Sequence, residues 1–315
     1  MSKKRMLSLV VPAYNEKGNI PIFMERVENI RDKLGCEVEV IVVDDGSYDG
    51  TYEEVKALKE RYPYLRILRH PHNRGLTAAL DSGFSNARGD ILAFYPADLQ
   101  YDPAELPKLI AKLNEGYDIV AGWRQGKYEK AFVSWVYNSL CRILFRLKIH
   151  DLNSVKVIKR EVYDRFVMRQ DWHRYLIPLA ASEGYLIGEE KVTLYPRRYG
   201  KSKFKGPWRA IVGLLDLISV KFITSFMKKP MLIFGTAGLI SLSLSIIIGI
   251  IAFYYRFVLQ KGYRPIIYLV ILLFLAGLLL FAIGFITELL STILFKIDML
   301  SSKLRNEKNK SSQIP

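Results

Sequence analysis

The sequence predicts an α/β protein on a mainly parallel, doubly wound sheet, followed by two membrane-crossing helices. Three observations predict it. Short continuous apolar runs alternate with helix-like stretches over residues 1–207, the pattern of strands buried on both faces. Each run breaks off in a polar cluster, as strands do at the carboxyl edge of an open α/β sheet. Residues 231–255 and 266–295 carry long uncharged stretches, each above the ~20 residues needed to span a bilayer.

Taken in order, residues 8–12 form the first strand and end in PAYNE (12–16). Asn19 and Pro21 read as the cap and first turn of a helix to about Leu34. VEVIVVDD (38–45) is a buried strand, GSYDGT (46–51) a turn and cap, and a helix follows over 51–62. LRILRH (65–70) is a short strand, and a small-residue helix within NRGLTAALDSGFSNARG (73–89) leads to another at 90–95. That strand ends in PADLQYDP (96–103); a helix to Asn114 and the strand YDIVAGW (117–123) complete the alternation.

Residues 208–229 keep Arg209, Gly213, Asp216, Thr224 and Lys228 on one side and Ile, Leu, Val and Phe on the other. This is the pattern of an amphipathic helix lying in a membrane interface. Two spans joined by a loop around 256–265 put both termini on one side. The apolar run after the basic start stops at Pro12, too short for a signal core. The expected placement is a cell membrane with the α/β domain (1–207), both termini and the basic tail (297–315) cytosolic. Arg256, Lys261 and Arg264 in the loop weaken the charge argument for that orientation.

The formal net charge of +15 suits an anionic partner: nucleic acid, a membrane surface or a phosphorylated substrate. Cys36 and Cys141 lie far apart without metal-ligand spacing and read as reduced thiols. The four histidines show no zinc spacing either.

The polar clusters carry the chemistry. PAYNE alone is as well explained by an ordinary strand-to-helix turn. VDDGSYDGT is more specific: helix capping explains one acid, but not Asp44 and Asp45 together with Asp49. PAYNE, VDDGSYDGT, NRG, ARGD, ADLQYDP and a late RRYGKSK, in this order, resemble the inverting family 2 nucleotide-sugar glycosyltransferases of GT-A fold. The likeness is to the polyprenyl-phosphate sugar synthases, dolichyl-phosphate mannose synthases and bacterial undecaprenyl-phosphate glucosyltransferases among them.

The resemblance implies that Pro12, Tyr14, Glu16, Asp44, Asp45 and Arg74 hold the nucleotide. It implies that Asp98 and Gln100 hold Mg²⁺ or Mn²⁺ on the donor's diphosphate, a hard cation that needs few protein ligands when phosphates supply the rest. Where the family reads Asp-x-Asp-x-Gln, this sequence has Pro96, so one carboxylate is missing and a weaker metal requirement is left open. Asp98, Arg124, Lys130 and Ser134 are the implied catalytic set, the last three meeting the lipid phosphate. Arg197, Arg198, Lys201, Ser202 and Lys203, around Gly200, would close over the phosphates. In this segment a juxtamembrane patch for anionic lipid is the other reading. The implied partners are a nucleotide-sugar, a polyprenyl phosphate and a membrane, without nucleic acid; a homo-oligomer stays open. The implied reaction moves one sugar to the prenyl phosphate with inversion. The alternatives are a processive polysaccharide synthase, against which QDWHRY (170–175) has the wrong spacing, and a degenerate lipid-binding homologue suggested by Pro96.

Overall fold

A computed structural model describes residues 5–126, 131–166, 172–197, 208–222, 224, 229–262 and 264–311. Lys130, Arg198, Lys201, Ser202 and Lys203 therefore lie outside the described residues. The chain divides into two compact units, Met1–Leu217 and Ile218–Pro315.

The first unit is built on a seven-stranded sheet of order β3-β2-β1-β4-β6-β5-β7. Its strands are β1 (Met6–Ala13), β2 (Glu37–Asp44), β3 (Leu65–Arg69), β4 (Ile91–Phe94), β5 (Ile119–Gln125), β6 (Lys156–Lys159) and β7 (Ile187–Thr193). All neighbours are parallel except β6, which runs antiparallel to both β4 and β5. β1 pairs with β2 on one side and β4 on the other, so the strand order reverses beside β1. Ligand crevices of doubly wound sheets open at such a point.

Burial on both faces explains why these strands read as unbroken apolar runs. Leu7, Leu9 and Val11 join one core, with Phe23 and Val27 of α1 (Ile20–Arg31) and Leu106 and Leu109 of α4 (Leu106–Asn114). Val10, Ile41 and Val43 face the other way, onto Ala79, Leu80 and Phe84 of α3 (Leu76–Asn86). Between α1 and α3 in sequence lies α2 (Thr51–Arg61).

The predicted helix to Leu34 is α1 plus a 3-10 turn, Asp32–Leu34, closed by Gly35 at φ 64°. Asn19 sits at the cap position, yet its Nδ2 donates to Glu16 Oε2 at 2.5 Å instead of its oxygen capping the helix. ARGD is a structural motif. Buried Glu39 accepts from Ser8 Oγ (2.6 Å), the Arg88 amide (2.5 Å) and Arg66 (2.6 Å), and the Gly89 amide donates to Ser8 Oγ at 2.8 Å. Burial opposes ionisation of Glu39, but those hydrogen bonds outweigh it and hold the carboxyl below its ordinary value.

α5 (Ala131–Phe145) follows β5, with Trp135 and Ile143 exposed on it. β6, α6 (Arg160–Arg165), α7 (Leu176–Ser182) and β7 complete the sheet region. α8 (Trp208–Lys221) carries exposed Leu215 and Ile218.

The second unit contains α9 (Pro230–Phe257) and α10 (Arg264–Ser311). Both contain stretches long and apolar enough to cross a membrane, Pro230–Phe257 and Arg264–Leu294. They meet through small residues: a side chain at Gly238 would lie 2.9 Å from the Gly277 carbonyl. Ser241 and Ser245 donate across to the carbonyls of Leu273 (2.7 Å) and Val270 (3.2 Å). Close backbone approach and hydroxyl bridging are how helices adhere where lipid offers no hydrophobic drive. Glu288 Oε2 accepts the Met231 amide at 3.1 Å, satisfying an orphan donor at the start of α9. α10 continues through the basic tail to Ser311, a helix that the apolar pattern did not announce.

Candidate active site

The ends of β1 and β2 are laced together by PAYNE and VDDGSYDGT. The Asn15 amide donates to Ser47 Oγ (2.9 Å), and Asn15 Oδ1 accepts the Tyr48 amide (3.1 Å). The Glu16 amide donates to Thr51 Oγ1 (2.9 Å), and the Lys17 amide to Asp49 Oδ2 (3.2 Å). Asn15 stands at φ 56°, a left-handed conformation that asparagine tolerates better than most residues. Gly46 stands at φ 74°, where a Cβ would lie 2.5 Å from the His72 carbonyl carbon. Only glycine fits both demands.

The acids divide by what they touch. Asp49 accepts from the Lys17 and Thr51 amides and the Thr51 hydroxyl, which outweigh its burial and lower its pKa. Asp45, predicted to bind nucleotide, accepts from His70 Nδ1 (2.7 Å) and the amides of Arg74 (2.9 Å) and Gly75 (2.8 Å). It thereby holds the NRG turn against β2, and Arg74 is exposed on that turn. His70 in turn meets Ser82 Oγ at 2.9 Å. Asp44 is fully buried; Oδ1 accepts the Ser47 amide at 3.0 Å. Its Oδ2 has no hydrogen bond among the described residues and lies 3.5 Å from Arg69 Nε. Glu16 is buried near the same edge, and Tyr14 meets Tyr48 edge-on at 6.2 Å. Pro12 is the penultimate residue of β1 and pairs in register with Val43.

At the end of β4, buried Ala97 and Leu99 alternate with Asp98 and Gln100. Leu99 takes φ 57°, a strained backbone for a branched side chain. The turn aims both polar side chains at one atom: Arg197 Nη2 lies 2.7 Å from Asp98 Oδ2 and 3.3 Å from Gln100 Oε1. Two expected metal ligands thus converge on a single positive charge, so the pair fits a cation. Asp102 does not join them; it caps the Ala104 amide (3.0 Å) and pairs with Arg26 (3.0 Å). Among the described residues no group of three His, Cys, Asp or Glu could hold a metal by itself.

Beside this pair, Arg124 forms a fork with Asp151, Nε to Oδ2 and Nη2 to Oδ1, the latter at 2.9 Å. Asp151 is itself held by its amide on Glu189 Oε1 (2.9 Å). Lys156 is 3% exposed, and its Nζ donates to the Ser154 carbonyl at 2.9 Å. Burial lowers its pKa to about 8; Asp151 opposes that, and Arg124 and Arg174 add to it. Ser134 lies half-buried in the first turn of α5. His173 Nδ1 meets Thr77 Oγ1 at 2.8 Å, tying the HRY segment to α3. Asp151 and His70 escape sequence reasoning because their partners lie 27 and 25 positions away.

The glycosyl transferase family 2 model matches residues 8–176 of the 315. The dodecaprenyl-phosphate galacturonate synthase of Rhizobium johnstonii is 30% identical over 303 residues, covering 93% of this chain and 89% of that protein. The undecaprenyl-phosphate 4-deoxy-4-formamido-L-arabinose transferase of Pseudomonas fluorescens is 30% identical over 241 residues, 75% of this chain and 70% of that protein. Among solved structures, the glucosyl-3-phosphoglycerate synthase of Mycobacterium tuberculosis was crystallised with Mn²⁺, UDP and glucosyl-3-phosphoglycerate. It superposes with a TM-score of 0.55 at 20% identity over 70% of this chain and 80% of that one. A structure of the same enzyme with Mg²⁺ and UDP also gives a TM-score of 0.55, at 21% identity over 68% and 80% of the two chains. The fold is therefore GT-A, and by the family match and the near full-length relative the chain belongs to glycosyl transferase family 2 and is a glycosyltransferase.

Proposed function

We propose that the enzyme transfers one sugar from a nucleotide-sugar to the phosphate of a polyprenyl phosphate, with inversion. The observation that carries this reading is the near full-length similarity to a prenyl-phosphate sugar synthase, spanning the sheet and the two apolar helices.

In this reading Pro12, Tyr14, Glu16 and Asp44 line the nucleoside end. The buried Asp44 Oδ2, with no hydrogen bond among the described residues, is an acceptor suited to a base or ribose donor. Asp45 acts indirectly, by fixing the turn at Arg74 and Gly75. Asp98 and Gln100 are the residues that would hold Mg²⁺ or Mn²⁺. When bound, that cation offsets charge on the departing diphosphate. The acceptor phosphate would lie toward Arg124, Lys130 and Ser134, with Lys156 and Arg174 adding positive charge behind Arg124.

The acceptor oxygen forms the new bond to C1 as the bond from C1 to the diphosphate breaks, so an α-linked donor gives a β-linked product. A phosphate monoester with a second pKa near ~6 is already anionic at neutral pH, so no strong base is needed. What the protein supplies is alignment and charge compensation. The exposed apolar residues of α5 and α8 would sit at the membrane surface, near the prenyl chain. Both termini are cytosolic in this reading; Lys296, Lys303, Arg305, Lys308 and Lys310 toward the end of α10 suit that side, while Arg256, Lys261 and Arg264 in the loop pull against it.

The test incubates membranes bearing the enzyme with labelled UDP- and GDP-sugars and polyprenyl phosphate, with and without Mn²⁺. A chloroform-soluble, mild-acid-labile monosaccharide product is expected; a long water-soluble polymer, or no turnover with any donor, would reject the reading. Asp98→Ala should abolish transfer, and unchanged activity would remove the metal assignment.

A further inference from the structure

We propose that Arg197 is the resident cation of the donor site, and that a divalent metal enters only when a nucleoside diphosphate draws the guanidinium off Asp98 and Gln100. This rests on the donor reading above and adds an order of events to it.

The contact is built. One Arg197 nitrogen lies 2.7 Å from Asp98 Oδ2 and 3.3 Å from Gln100 Oε1, with the Arg197 and Asp98 side chains 22% and 13% exposed. The Tyr195 amide donates to the Gln100 carbonyl at 2.9 Å, so the backbone two residues before Arg197 is pinned to the residue it serves. The Gln100 amide donates to Asp98 Oδ1 at 3.2 Å, which turns Oδ2 toward the guanidinium. The left-handed Leu99 stores strain in that arrangement, as turns at functional sites do.

Charge then decides what can bind. Pro96 removes the other acid of this turn, which leaves Asp98 with a neutral amide at Gln100. One guanidinium already compensates that single carboxylate, so a divalent ion would have to displace Arg197 from the lone pairs it needs. A hard cation gains little from one carboxylate and one amide oxygen unless phosphate oxygens join it. A diphosphate changes both sides of the exchange. It supplies anionic oxygens to the metal, and it offers the guanidinium a bidentate anion to replace Asp98. Metal and donor affinities are therefore linked, each raising the other by the same factor.

The test measures Mn²⁺ binding by the full-length chain in detergent, from the free-Mn²⁺ electron paramagnetic resonance signal. UDP is present or absent, and the chains are wild type, Arg197→Gln and Arg197→Lys. Without UDP, Arg197→Gln should bind Mn²⁺ about tenfold more tightly than wild type, within the usual range of coupling between sites. Arg197→Lys, which keeps a cation, should stay near wild type, and Asp98→Asn added to Arg197→Gln should erase the gain. UDP should strengthen Mn²⁺ binding in wild type more than in Arg197→Gln. Equal Mn²⁺ affinity of wild type and Arg197→Gln without UDP, while wild type binds UDP with Mn²⁺, would overturn this inference alone. Failure of wild type to bind either UDP or GDP in the presence of Mn²⁺ would instead overturn the donor reading.

Discussion

Replacing Lys156 with methionine should stabilise the protein at neutral pH while impairing transfer. The ammonium is 3% exposed, and burial depresses its pKa from 10.5 to about 8. Because the folded pKa lies below the unfolded one, the lysine opposes folding wherever both states are protonated. That cost is fully present below pH 8 and is relieved as pH climbs from 8 through 10.5. At about 1.4 kcal/mol for each pH unit between the two values, it amounts to about 3 kcal/mol at pH 7 and less than about 1 kcal/mol at pH 10. Methionine has a similar volume and carries no charge. It forfeits the 2.9 Å bond to the Ser154 carbonyl, an unpaired group costing about 1–2 kcal/mol. The net expectation is a gain of about 1–2 kcal/mol at pH 7 that disappears by pH 10. Thermal melting of both full-length proteins in detergent from pH 6.5 to 10 measures it directly. A methionine variant that melts lower at pH 7, or a difference that ignores pH, would refute the reasoning. In the same variant kcat/KM for the prenyl phosphate should fall at least about tenfold, about 1.4 kcal/mol of transition-state binding. A buried cation that costs stability is retained where an anion must be met.

Glu39→Gln should lower stability by about 2–4 kcal/mol, because it weakens three charge-assisted bonds to a carboxylate only 4% exposed. Its lowered pKa makes that contribution present above pH 4.5 and lost as pH falls further, so wild type and variant should converge in acid melting curves. Gly46→Ala should destabilise by at least about 2 kcal/mol, from positive φ and overlap with the His72 backbone. It should also weaken UDP binding by calorimetry. Normal UDP affinity in a folded Gly46→Ala variant would separate this turn from the nucleotide site.

The central strands were legible because burial on both faces makes them continuous apolar runs. β7 was not: it reads IGEEKVT because it is an edge strand, paired among the described residues with β5. The site was legible as a set of strand ends but not as a set of contacts. VDDGSYDGT announces acids, yet whether Asp45 meets a ligand or the chain depends on His70, Arg74 and Gly75. No local pattern could pair Arg124 with Asp151 or bring Arg197 to Asp98, residues 27 and 99 positions apart.

Those long-range contacts decide how the edge manages charge. Asp45, Asp49 and Asp102 accept backbone amides and serve the turns, so the acids of the motifs are largely consumed in building the site. Asp151 holds Arg124 in a fixed fork, and Asp98 is covered by Arg197. Lys156 remains, buried with the Ser154 carbonyl as its hydrogen-bond partner among the described residues and with Arg124 and Arg174 close enough to depress its pKa. Asp44 Oδ2 apart, an edge whose acids are taken up by the chain and that keeps a buried ammonium at Lys156 is better matched to an anionic ligand than to a neutral one. It is matched to a reaction whose acceptor is a phosphate and whose leaving group is a diphosphate. In the proposed reaction Pro96 fits the same balance: fewer fixed negative charges at the turn would mean less repulsion of an incoming diphosphate, and a metal held by Asp98 and Gln100 would depend on that diphosphate to complete its ligands.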